Sequence, residues 1–155
     1  VAGSYQALNS TGSGSTAFGA TYSGIEGLSL SYGQGSSDDV KDISGDQTIM
    51  KASYAYGPIT VGASNNDFDH TTASNDQEVS SVSLSYTVSD QISVSYGEET
   101  IDRSGSASDI EVTGVSISYT SGGMTASFAT VEAENVDHTA GLDKEVWKIG
   151  LSFAF

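Results

Sequence analysis

Apolar and polar side chains alternate along this chain with a period of two, in runs of about nine to twelve residues. Between 82 and 88 one parity reads Val82, Leu84, Tyr86, Val88 and the other Ser83, Ser85, Thr87. Ile92, Val94 and Tyr96 alternate with Ser93 and Ser95, and Val115, Ile117 and Tyr119 with Ser116 and Ser118. Leu28, Leu30 and Tyr32 alternate with Ser29 and Ser31 in the same way. At the end of the chain Trp147, Ile149, Leu151, Phe153 and Phe155 alternate with Lys148, Gly150, Ser152 and Ala154. Successive side chains of a strand point to opposite faces, so each run makes a strand with one apolar, aromatic face and one small, hydroxylated face. The pattern predicts strands over 1–8, 16–24, 27–35, 47–57, 59–67, 78–89, 91–101, 110–121, 123–134 and 145–155. No segment carries apolar residues at i, i+3, i+4 and i+7 through two turns, so next to no helix is expected.

Two kinds of connection alternate strictly between these strands. Short turns fall at Gly24–Gly27, Gly57-Pro58, Ser89–Gln91 and Ser121–Gly123, and long polar loops at 9–15, 36–46, 68–77, 102–109 and 135–144. An up-and-down meander puts all its tight turns at one end and so gives this rhythm; a Greek-key sandwich does not. Alternation alone fits any half-buried sheet. Here, however, the second face carries Ser, Thr and Gly, where a soluble sheet would carry Lys, Glu, Arg and Gln. All eight tyrosines fall on the apolar parity. Tyr56, Tyr86 and Tyr119 sit just before short turns, where an interfacial aromatic girdle belongs. The predicted fold is therefore an all-β antiparallel up-and-down transmembrane β-barrel of about ten strands, with 1–155 as one domain.

Hydrophobic residues make up 37% of the sequence, lean for a compact core, and a spanning helix of about 18 apolar residues is absent. With 20 acidic and 5 basic side chains the net charge is −15, which repels phosphate backbones and excludes a nucleic-acid partner. There is no cysteine, so disulfides do not hold the fold. The chain starts at Val1 without a basic-then-apolar leader, which points to a removed signal peptide or a piece of something longer. All acidic residues other than Glu26 and Asp90 lie in the predicted long loops or the adjoining strand ends. Carboxylates are thus kept out of the segments that would face hydrocarbon, where a charge costs about 2–4 kcal/mol. On the small face, Lys51, Lys148, Ser83, Ser85, Ser93, Ser95, Ser116, Ser118 and Ser152 are the candidate lining of a water-filled pore. The lysines would bias ion passage, and the acidic loops would give a modest cation preference.

The closing segment from Glu145 to Phe155, with its aromatic last residue, resembles the C-terminal strand of outer-membrane porins. The stretches Ile92–Gly97, Val115–Thr120 and Tyr54–Gly62 resemble the Rhodobacter-type general diffusion porins of alphaproteobacteria. The likeness covers nearly the whole chain. It implies a homotrimer of wide barrels in the outer membrane of Gram-negative bacteria, bounded by membrane lipid and lipopolysaccharide and passing small hydrophilic solutes. It also implies that Tyr56, Tyr86, Tyr119, Trp147, Phe153 and Phe155 serve as girdle and C-terminal signal for the barrel-assembly machinery. Such barrels have about sixteen strands, so the ten predicted here make the C-terminal portion of a longer barrel, with the constriction loop elsewhere. A complete ten-stranded barrel would be plugged by its side chains, and would act as an adhesin or membrane anchor through its acidic loops.

No catalytic signature emerges, and no enzyme activity is expected. Asp67, Asp69 and His70 have the residue types of a loop-rim hydrolase but lack a base and its orienting partner. No cofactor is expected. The oxygen-rich stretches around Asp38, Asp39 and Asp42 and around Asp67 and Asp69 are weak candidates for calcium, though the spacing matches no complete EF-hand.

Overall fold

The computed structural model describes residues 2–6, 14–38 and 44–154. They form ten strands: β1 (Ala2–Gln6), β2 (Gly14–Tyr22), β3 (Leu28–Asp38), β4 (Gly45–Tyr56), β5 (Ile59–His70), β6 (Gln77–Thr87), β7 (Ile92–Arg103), β8 (Ile110–Ser121), β9 (Met124–Glu134) and β10 (Lys144–Phe153). All ten lie in one sheet whose spatial order is the order along the chain. Every neighbouring pair is antiparallel, which is the expected meander. Among the described residues no ladder joins β1 to β10, and the only helical turns are Ala73–Asn75 and Val136–His138.

Several strands run further than the alternation predicts, and the long loops shrink accordingly. β3 continues to Asp38, β5 to His70 and β7 to Arg103, while β4 already begins at Gly45. The alternation fades where both faces become polar, but backbone pairing needs no apolar face. The ladder carries on through Gln34↔Thr48 and Ser36↔Asp46. Carboxylates assigned to loops by the sequence, among them Asp38, Asp46, Asp69 and Asp102, therefore sit in strands.

The turn between β2 and β3 depends on one residue. Gly27 adopts a φ of 77°, its carbonyl accepts a 2.8 Å hydrogen bond from the Ala55 amide, and an added Cβ would overlap the Ala55 carbonyl oxygen. Gly57, in the next short turn, also has positive φ but meets nothing within 4 Å. Gly27→Ala is expected to destabilise the protein by about 1–3 kcal/mol. Gly57→Asn should cost little, because Asn tolerates the left-handed region. Paired urea titrations in detergent would show the contrast; equal midpoints would refute this account of the turn.

No side chain among the described residues is buried, and a single sheet has no second layer to cover it. The apolar positions form a level belt only if the strands tilt. The row through Ala20, the middle of the apolar set Phe18, Ala20, Tyr22 on β2, passes Tyr32, Met50, Asn65, Ser80, Thr100 and Glu111 and reaches Glu134 on β9. The middle of the apolar set on β9 (Met124, Ala126, Phe128) is Ala126, eight positions from Glu134 after seven strand steps. The belt thus drifts by roughly one residue per strand. With about 3.4 Å per residue along a strand and about 4.8 Å between strands, that drift corresponds to a tilt of about 40°. This is the tilt of strands in membrane barrels, about 35–45°.

Candidate functional site

The two faces of the sheet differ in chemistry. On the outer face, Tyr22, Tyr56, Tyr86, Tyr119 and Phe153 close the apolar belt on the short-turn side. Phe18, Tyr32, Tyr96, Phe128 and Trp147 close it on the long-loop side. The Tyr32 hydroxyl donates to Gln34 Oε1 at 3.2 Å and the Tyr96 hydroxyl donates to Glu98, so both phenols point out of the belt toward the loops. Rings at the apolar edge with hydroxyls in the polar layer are what an interfacial girdle requires. Trp147 therefore stands at the edge opposite to Tyr56, Tyr86, Tyr119 and Phe153. Phe155 lies outside the described residues.

Beyond the belt, on the same outer face, carboxylates oppose one another across strands. Asp46 faces Asp69, Asp67 faces Glu78, Glu78 faces Asp102, Glu111 faces Glu134 and Glu132 faces Glu145. Like charges directly opposite repel, so this layer demands counter-cations or strong hydration. Neutral donors reach into it: the Asn65 side-chain amide donates to Glu78 Oε1 at 2.5 Å and the Thr130 hydroxyl to Glu145 Oε1 at 3.4 Å. Of the calcium candidates, Asp67 and Asp69 share this outer face, Asp38 ends β3, and Asp39 and Asp42 lie outside the described residues. Among the described residues no group of three or more His, Cys, Asp or Glu side chains is placed to hold a metal ion.

The inner face carries the hydroxyls. Ser64 and Ser81 share a hydrogen bond of 2.8 Å, Ser85 and Ser95 one of 2.9 Å, and Ser93 and Ser118 one of 2.8 Å. Thr21 pairs with Ser31 and Thr120 with Thr125, each at 3.0 Å. Each bond joins residues directly opposite in the ladder. Cross-strand pairing consumes one hydroxyl proton and leaves the other free, so each pair still offers one donor and several lone pairs to water or solute. Of the predicted lining residues, Ser83, Ser85, Ser93, Ser95, Ser116, Ser118, Ser152, Lys51 and Lys148 all fall on this face. The paired partners Ser64 and Ser81 were missed. Ser64 sits where the alternation gives way to the polar run Ser64–Asp67, and Ser80-Ser81 offers two serines with no pattern to choose between them.

Charge is sorted between the faces. Every basic side chain within the described strands, namely Lys51, Arg103, Lys144 and Lys148, lies on the inner face, where Glu99 is the one strand carboxylate. The sequence placed Lys51 and Lys148 on this face, but not Arg103, Lys144 or Glu99, because the pairing register beyond the apolar belt decides which face those residues join. The same register separates Asp67 and Asp69, on the outer face, from His70, on the inner one. His70 Nδ1 accepts a 2.8 Å hydrogen bond from the Thr72 amide, so these three residues do not form a rim of catalytic groups. His138 is likewise structural: its Nδ1 lies 2.9 Å from the Ser108 carbonyl oxygen and ties the β9–β10 connection to the β7–β8 connection.

Residues 2–108, more than half of the chain, match the family model described as Gram-negative porin. No curated protein and no solved structure matches the chain.

Proposed function

The chain belongs to the Gram-negative porin family, and from that premise we propose that it lines a water-filled channel for passive diffusion of small hydrophilic solutes and ions. The observation that carries this reading is the two-faced sheet: a tilted, aromatic-edged apolar belt backs onto a face of paired hydroxyls and scattered cations. Hydrocarbon suits the first face and water the second. Solutes would be sieved by lumen width, and ions sorted by the charge on wall and mouth.

The cation preference is modest in this proposal because most strand carboxylates point away from the lumen. The loop carboxylates Asp76, Asp109, Asp137 and Asp143 are left to raise cation concentration at the mouth. The layer of opposed carboxylates beyond the belt supports contact with lipopolysaccharide through divalent cations. The ten strands are proposed as the C-terminal portion of an alphaproteobacterial-type barrel of about sixteen strands, since that size encloses an aqueous channel. Assembly as a homotrimer belongs to the same proposal.

The test is electrical. Full-length protein in a planar bilayer under a potassium chloride gradient should conduct steadily, with a reversal potential of the sign set by potassium. The opposite sign would refute the cation preference. Absence of conductance would refute the channel and favour a plugged barrel acting as adhesin or anchor through its loops.

A further inference from the structure

We propose that the inner face holds a binding station for small oxyanions, carboxylate or phosphate groups of passing solutes, centred on Lys51. This rests on the inner face being the channel wall. Lys51 lies in the middle of β4, directly opposite Ser31 on one side and Ser64 on the other. A depression of about 300 Å³ surrounds it, bordered by the side chains of Ser29, Ser53, Ser81 and Ser83 as well as Ser31 and Ser64. Its floor is Gly62, where an added Cβ would come within 2.7 Å of Ser83 Oγ. A larger residue at this position would press on Ser83 and distort the lining of the depression.

The ammonium of Lys51 has no hydrogen-bond or ion-pair partner among the described residues. The only carboxylate on its row, Glu99, lies three strands away through Ser64 and Ser81, about 14 Å at the usual strand spacing. A free cation ringed by hydroxyl donors suits a group with several oxygen acceptors, which takes one charge-assisted hydrogen bond and further neutral ones. Lys148 provides the internal contrast. It has the same charge on the same face, but its ladder neighbour is Ala129 and its same-face neighbours along β10 are Val146 and Gly150. On its β9 side Lys148 thus has no opposed serine, whereas Lys51 has one on each side.

The experiment uses full-length protein in planar bilayers, with inorganic phosphate as the probe. Phosphate added to potassium chloride should reduce the chloride-carried current in a saturable manner. Lys51→Gln should weaken that block by about tenfold or more, the factor expected for losing a charge-assisted hydrogen bond. Gly62→Val, which displaces the Ser83 hydroxyl from the lining and leaves the charge, should weaken it too, and Lys148→Gln should leave it in place. Equal block in the parent and Lys51→Gln proteins, or equal loss with Lys148→Gln, would overturn the proposal while leaving the channel standing. Titration of phosphate into the detergent-solubilised protein, read by phosphorus NMR, checks the station without conduction. Absence of conductance would strike at the channel, whereas line broadening that persists in Lys51→Gln would strike at the station.

Discussion

An arginine in place of Ile117 is expected to cost about 2–4 kcal/mol of folding free energy in a bilayer, and an arginine in place of Ser116 about 1 kcal/mol or less. The two residues are neighbours in β8, yet they face opposite solvents. Ile117 lies between Val94 on β7 and Phe128 on β9, in the middle of the apolar belt. Ser116 lies between Ser95 and Ala129 on the hydroxyl face. A guanidinium at the first position must be dragged into hydrocarbon or must bend the bilayer to reach water; at the second it is already hydrated. Urea unfolding of both variants in phosphocholine vesicles measures the difference. A similar loss for both would mean that the face assignment is wrong. Ser116→Arg carries a second readout, because a new cation on the channel wall should move the reversal potential toward that of chloride.

Truncating Phe155 to alanine is expected to remove most of the protein from the outer membrane of producing cells, while refolding in detergent proceeds. The expectation follows from the C-terminal strand and its likeness to porin assembly signals. Among the described residues β10 pairs with β9, and its apolar face carries Trp147, Ile149, Leu151 and Phe153. Removing one apolar side chain should cost at most the roughly 1.5–3 kcal/mol that a fully buried one contributes. A large loss in cells would then have to arise in recognition and not in stability. Heat-modifiability of the membrane fraction reports the first effect, and the urea midpoint in detergent the second. If both fall together, the residue is structural; if neither falls, Phe155 is no signal.

The same division runs through the molecule. The sequence by itself determined the fold class, because alternation with period two leaves only strands. The strict exchange of short turns and long loops leaves only a meander. It also determined which residues share the apolar face in the middle of each strand. In Val115–Tyr119, Ile92–Tyr96 and Val82–Val88 one parity is apolar and the other hydroxylic, and a slip of one residue would put serine in the belt and valine on the wall.

Beyond the belt that signal vanishes. Asp67, Glu78 and Glu99 stand at or near predicted strand ends and Asp102 just past one, and nothing in the order of these polar stretches says to which face each belongs. Only the pairing of backbones decided that Glu78 opposes Asp102 on the apolar face while Glu99 opposes Ser81 on the hydroxyl face. Backbone hydrogen bonds extend a ladder regardless of side-chain character, and the parity they inherit from the apolar segment carries the charges with it. For the same reason Lys51 could be assigned to the hydroxyl face from β4 alone. The serines around it come from β3, β5 and β6 as well, so only the assembled sheet could bring them together.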